Sequence, residues 1–118
     1  MNLTWSVQDD ILIVNFSGML IEKEIRDILE EYREAVRISG LKKVLVDTRD
    51  LKGRLSIIEV YLHTRSFPLP DHSIKTAVVE QEENKRYAEF QELFLKNKGH
   101  ISTQFFFDFD EAMAWLKE

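Results

Sequence analysis

The chain of 118 residues contains no cysteine. This absence excludes a disulfide framework, a thiolate nucleophile, and zinc or iron–sulfur sites built from cysteine. Glycine and proline are scarce, at four and two residues, so little of the chain can be linker or low-complexity sequence. The glycines stand singly, and neither a glycine-rich nucleotide-binding loop nor a Gly-x-Ser-x-Gly turn of the serine hydrolases is present.

Long hydrophobic runs and basic clusters are missing as well. No apolar run approaches the roughly 18 residues that a membrane-spanning helix needs, and the first eight residues lack the layout of a signal peptide. The net charge is −5 and neither half carries a basic run, so no nucleic-acid partner is expected. The apolar fraction of 44% and the charged fraction of 31% are typical of a soluble globule. We therefore expect one cytoplasmic domain over residues 1–118.

Hydrophobic periodicity predicts an α/β domain with the element order ββαβαβαβα. Leu3, Trp5 and Val7 alternate with polar residues, which predicts a strand with one buried face, whereas the apolar run at 11–16 predicts a strand covered on both faces. Further strands are predicted at 44–46, 74–79 and 102–107, the last as a central strand, and helices at 22–39, 56–67, 82–98 and from Asp108 onward. This alternation predicts a mostly parallel mixed sheet of about five strands with four helices.

Three segments resemble the SpoIIAA-like family, namely residues 110–116 (Asp-Glu-Ala-Met-Ala-Trp-Leu), 44–47 (Val-Leu-Val-Asp) and 77–79 (Ala-Val-Val). That family is related to the STAS domains of anti-anti-sigma regulators and transporter tails, and to the lipid-binding CRAL-TRIO domains. The resemblance covers nearly the whole chain and implies a layered α/β fold with a regulatory role. Regulatory STAS members carry a phosphorylatable serine in an Asp-Ser-Ser/Thr-Gly turn, which residues 50–56 lack. Ser56 is therefore predicted to cap a helix N-terminus.

A candidate site lies at the predicted end of the strand at 44–46. Ligands in open α/β sheets bind outside the carboxyl ends of strands, where the strand order reverses, and the free N–H groups of the helix beginning at Ser56 are expected nearby. Asp47, Thr48, Arg49 and Ser56 are the candidate residues. The plainer alternative is a turn in which the side chains of residues 47–50 bond to local backbone.

The helix predicted at 56–67 carries more apolar surface than one sheet face needs. Ile58 and Leu62 widen its apolar stripe beyond about 100°, and Phe67 and Leu69 follow directly. Three explanations are open: the helix is wedged deeply between neighbours, it forms an interface with a protein partner or a second copy of the chain, or it lines a pocket for a small hydrophobic ligand. These four residues form the candidate interaction or ligand surface.

No metal site, cofactor or catalytic residue is predicted. Glu59 and His63 share a helix face but lack a third ligand. The expected function is a non-catalytic STAS-like regulatory or protein-interaction module, with a homodimer or another protein as partner. The alternative is a carrier or sensor of a small, lipid-like hydrophobic ligand.

Overall fold

The computed structural model describes residues 1–55, 73–97 and 102–118. Within these ranges the elements in chain order are β1 (Asn2–Gln8), β2 (Ile11–Met19), α1 (Ile25–Ser39), β3 (Lys43–Lys52), β4 (Lys75–Val79), α2 (Lys85–Asn97), β5 (Thr103–Phe106) and α3 (Phe109–Lys117). Short 3₁₀ turns lead into α1 and α2. The helix predicted at 56–67 lies outside the described residues.

The five strands form one mixed sheet in the order β1-β2-β3-β4-β5. β1 is antiparallel to β2, and every other neighbouring pair is parallel. The hairpin between β1 and β2 turns at Asp9 and Asp10, whose φ angles of 54° and 62° are both left-handed, as in the turn type that matches the twist of paired strands. The predicted mixed sheet is confirmed, and three of the four predicted helices fall within the described residues.

Apolar side chains fill both faces of the sheet. On one face, Leu12, Val14 and Val44 are buried against Tyr32 and Val36 of α1. The other face is covered by α3, where the buried cluster comprises Ile11, Leu45, Ala77, Val79, Ala112, Met113 and Leu116. Successive residues of β2 therefore enter opposite cores, which confirms that the run at 11–16 is a strand covered on both sides.

Two helix ends are closed by contacts with residues nearby in the chain. Gly40 follows α1 with a left-handed φ of 66°, and its N–H reaches the carbonyls of Val36 and Arg37, a conformation that glycine adopts without a Cβ penalty. Asp108 precedes α3, and its carboxylate accepts hydrogen bonds from the backbone N–H groups of Asp110 and Glu111. Both terminal caps act locally, which is why sequence spacing locates them correctly.

The predictions for the first and last strands are partly wrong. Trp5 and Val7 were expected on a buried face, yet they are 43% and 52% exposed, and only Leu3 of that set packs on the core. The strand with Phe105 and Phe106 was expected at the centre of the sheet, but β5 is an edge strand and both rings are half-buried. Both differences have one cause: sequential strand order places the first and last strands at the edges.

Tyr32 links α1 to the sheet through a polar contact inside the core. Its phenol is hydrogen-bonded to Thr76 of β4, and its ring lies 6.1 Å from the ring of Phe16, centroid to centroid. Burial raises the pKa of Tyr32 to about 12, because the phenolate is poorly solvated there, and the hydrogen bond to Thr76 partly offsets that increase.

We expect the free energy of unfolding to decrease as the pH rises from about 10 to about 12. A tyrosine in the unfolded chain ionises near pH 10, whereas folded Tyr32 keeps its proton until about pH 12. The unfolded state then binds fewer protons than the folded state, so stability falls with increasing pH, by at most about 3 kcal/mol. Urea denaturation of the wild type and Tyr32→Phe across this range isolates the effect from other titrating groups. A difference between the two proteins that stays constant with pH would contradict the assignment.

Candidate functional site

The segment Asp47 to Asp50 belongs to a strand, which corrects the prediction of a turn there. The pairing of β3 with β4 ends at Asp47 and Val79, but β3 continues to pair with β2 as far as Lys52. The nine residues of β2 supply backbone partners beyond the end of β4, and this support keeps the polar segment extended. A register shift falls here, since Asn15 pairs with Asp47 and Ser17 with Asp50.

The register shift places two residues of β3, Thr48 and Arg49, opposite the single residue Phe16 of β2. Such bulges redirect side chains at the ends of strands. Thr48 donates its hydroxyl hydrogen to the carbonyl of Val79 at 2.9 Å, and so fastens the extended part of β3 to the last residue of β4. Its role in this structure is to join two strand ends.

Asp47 and Arg49 form a two-pronged ion pair on the same strand. Arg49 donates from Nε to Oδ1 of Asp47 at 3.0 Å and from Nη2 to Oδ2 at 2.8 Å. The backbone N–H of Arg49 adds a third bond to Oδ1 at 3.0 Å. The hydrogen bonds that Arg49 donates to Asp47 raise the pKa of the Arg49 guanidinium above its usual value. Arg49 also lies over the ring of Phe109, with its guanidinium carbon 5.8 Å from the centroid, at the start of α3.

A second ion pair joins Arg54 to Glu80, and no pattern in the sequence predicts it. Glu80 directly follows β4 and is only 2% exposed. Arg54 donates from Nε to Oε2 of Glu80 at 2.9 Å, and its Nη2 contacts Oε1. The remaining donors of Arg54 reach the carbonyls of Leu51 and Gly53, each at 2.7 Å, and of Thr48 at 3.0 Å. The carboxylate also accepts from the N–H of Gln81 at 2.8 Å and from the side chain of Asn84 at 3.4 Å.

These contacts bring together Asp47, Thr48 and Arg49, three of the four candidate residues at the strand end, while Ser56 lies outside the described residues. Within the described part of the chain, the buried carboxylates near the carboxyl ends of the strands, Asp47 and Glu80, are both paired with arginine. A general acid or base needs a proton-accepting atom within reach of a substrate, and these two groups are already engaged. The arrangement fixes backbone positions and presents Arg49, whose side chain is 44% exposed.

The described strands also lack the reversal of strand order that was expected beside Asp47. Ligand crevices form where consecutive strands lie on opposite sides of a starting strand. Here the strand order follows the chain order throughout, so no such reversal exists between the five described strands. The order of the described strands therefore gives no support to a crevice at Asp47, and the strand-end site stays a prediction.

The candidate surface of Ile58, Leu62, Phe67 and Leu69 lies outside the described residues. The described residues do contain an apolar groove of about 340 Å³ between α2 and β5, lined by Ala88, Glu89, Glu92, Leu93, Lys96, Phe105 and Phe107. Across residues 1–55, 73–97 and 102–118, no three His, Asp or Glu side chains are grouped as metal ligands, and no helix is long and apolar enough to cross a membrane.

Comparison with known proteins identifies similarity at the level of the fold. No protein-family model and no curated protein sequence matches the chain. An anti-sigma factor antagonist from Mycobacterium paratuberculosis superposes with a TM-score of 0.69 at 15% identity, covering 99% of this chain and 94% of that one. An uncharacterized protein from Shewanella loihica with a SpoIIAA-like fold gives a TM-score of 0.62 at 19% identity, covering 98% and 92%. The chain thus has the SpoIIAA-like fold that its sequence resemblance implies.

The residues Asp47, Thr48, Arg49, Arg54 and Glu80 form the strand-end cluster, and we expect the Arg54–Glu80 pair to contribute most to its stability. Removing one partner leaves a buried, uncompensated charge, so Arg54→Ala and Glu80→Ala should each lower the free energy of unfolding by about 3 kcal/mol or more. The double substitution should cost clearly less than the sum of the two single ones. Urea denaturation of the four proteins measures this coupling. The exposed pair Arg37–Glu34 is the control, and its removal should leave stability nearly unchanged. Additive losses at Arg54 and Glu80 would refute the assignment.

Proposed function

We propose that this protein is a non-catalytic regulatory module of the STAS-like type, which acts by binding a protein partner. The observation that carries the proposal is the likeness of fold to an anti-sigma factor antagonist, which extends over nearly the full length of both chains. An antagonist of this kind acts on another protein, and we extend that mode of action to this chain. Protein recognition needs a rigid, complementary surface rather than a reactive group.

The strand-end cluster supports a binding role over a catalytic one. Its two buried carboxylates, Asp47 and Glu80, are hydrogen-bonded to Arg49 and Arg54, so these groups hold the surface in shape. Arg49 is oriented by Asp47 and remains partly exposed. An arginine that is already held in place loses little conformational entropy on binding, which makes it suited to the rim of an interface.

The apolar centre of the proposed interface is the set Ile58, Leu62, Phe67 and Leu69. These residues follow β3 in the chain, and β3 ends beside the strand-end cluster. An apolar centre with a polar rim is the usual anatomy of a protein interface. Because residues 50–56 lack the Asp-Ser-Ser/Thr-Gly sequence of regulatory STAS members, we propose binding that does not depend on a phosphoserine in that turn.

We expect Ile58→Asp and Leu62→Asp each to weaken partner binding by about 30-fold or more, because substitutions at the centre of an interface cost about 2 kcal/mol or above. The partners to test are the anti-sigma factors encoded in the same genome, purified individually and measured by isothermal titration calorimetry. Ile38→Asp is the matched control, because Ile38 is an apolar residue of α1 that is 59% exposed. Circular dichroism and urea denaturation verify that each variant is folded.

Two results would count against the proposal. One is the absence of heat of binding for the wild-type chain with every anti-sigma factor of the genome. The other is a hydrophobic small molecule that co-purifies with the wild type and is lost in Leu62→Asp, detected by native mass spectrometry. That second result would identify the chain as a ligand carrier instead.

A further inference from the structure

The two edges of the sheet differ in how their outward backbone groups are covered. Edge strands present unpaired N–H and C=O groups that can pair with another chain, and proteins commonly protect them with charged side chains, short strands or a covering element. β5 has these protections. It is only four residues long, α2 packs against it, and the carboxylate of Glu92 accepts the N–H of Phe105 at 3.0 Å.

β1, at the opposite edge, is contacted by α1 on one face, but it is neither short nor charged. It spans seven residues, Asn-Leu-Thr-Trp-Ser-Val-Gln, without a proline, a glycine or a charged side chain, although 31% of the whole chain is charged. Its two exposed apolar residues, Trp5 and Val7, alternate along the strand and therefore lie on the same face. A long, uncharged edge strand with exposed apolar side chains is the kind that associates with another strand.

The hairpin geometry identifies which backbone groups are available. Gln8 and Ile11 flank the two-residue turn and are paired, and in such a hairpin this flanking pair is hydrogen-bonded. Hydrogen-bonded and non-hydrogen-bonded pairs alternate along an antiparallel ladder. The N–H and C=O groups of Leu3, Trp5 and Val7 consequently point away from β2, toward the open edge.

We propose that two copies of this chain associate through antiparallel pairing of β1 with β1, on a two-fold axis at Trp5. In this register Trp5 lies opposite Trp5 of the second copy, and Leu3 lies opposite its Val7. All three outward-facing residues then occupy hydrogen-bonded positions, and the two five-stranded sheets join into one continuous sheet. The two Trp5 side chains lie on the same face as direct cross-strand neighbours, an arrangement that stabilises sheets.

The absence of charged side chains from β1 is the reason that a second copy of the chain fits this edge. A strand that pairs with itself across a two-fold axis brings like residues together, so any charged side chain near the axis would repel its own copy. β1 has none. The contact is small, since seven residues from each copy compare with about 20 to 30 in an interface of standard size. We therefore expect a reversible dimer that forms at micromolar to millimolar protein concentration.

The first experiment is sedimentation equilibrium of the wild type and two lysine variants over concentrations up to about 1 mM. Trp5→Lys places two like charges opposite each other at the axis, and we expect it to weaken the dimer at least tenfold. Thr4→Lys is the matched control. Thr4 is also exposed, but its side chain lies on the opposite face of β1 and in the dimer faces Ser6 of the second copy, so the dimer should persist.

The second experiment tests the backbone contact. Val7→Pro removes an N–H that points to the open edge and leaves the β1–β2 hydrogen bonds in place, as proline allows on an edge strand. Val7→Ala is its control, because it shortens the side chain and keeps the N–H. We expect the dissociation constant of the Val7→Pro dimer to be at least tenfold higher than that of the Val7→Ala dimer. Urea denaturation should show that both variants remain folded.

Several results would overturn the proposal. A wild-type chain that stays monomeric up to about 1 mM excludes the dimer. A dimer unaffected by Trp5→Lys, or equally weakened by Thr4→Lys, excludes the register on Trp5. A dimer that persists in Trp5→Lys and is lost in Leu62→Asp would assign self-association to the surface around Leu62 instead.

Discussion

The ion pair between Arg54 and Glu80 determines the structure at the carboxyl ends of β3 and β4. A carboxylate that is 2% exposed is stable only when a cation and hydrogen-bond donors replace the water it has lost. Arg54 supplies the cation, and its other donors reach three carbonyls at the end of β3. One guanidinium therefore joins the end of β3 to the residue that follows β4. The extended part of β3 pairs with β2 on one side, and this connection adds a link to the end of β4, which no longer pairs with β3 beyond Asp47.

Pairing with arginine also limits the chemistry that the carboxylates at these strand ends can perform. Asp47 and Glu80 have the positions in which α/β enzymes often place reactive groups, at and just beyond strand ends. Each one instead accepts hydrogen bonds from an arginine and from a backbone N–H. Charged groups used in this way keep a surface rigid, and a rigid surface binds partners with little loss of conformational freedom. This use of the two carboxylates is the physical basis of the proposal that the protein acts by binding a partner.

Local features of the structure were predictable from the sequence, whereas features that depend on strand neighbours were not. The caps at Gly40 and Asp108 involve contacts within four residues, so spacing alone locates them. The length of β3 was underestimated because its extension is held by β2, and no property of residues 47–52 indicates that support. Arg54 and Glu80 are separated by 26 positions, and only the pairing of β3 with β4 brings them together. The exposure of Trp5 likewise depends on sheet position, which alternation in sequence does not report.

Sequential strand order has a second consequence, which concerns the edges rather than the strand ends. A sheet whose order follows the chain order has its first and last strands at opposite edges, so each needs its own protection from unwanted pairing. α2 and Glu92 provide that protection for β5, because α2 directly precedes β5 in the chain and packs against it. β1 is contacted by α1 on one face of the sheet, and its seven residues carry no charged side chain. A long edge strand without charged side chains can pair with another uncharged strand, and the proposed β1–β1 dimer rests on this property.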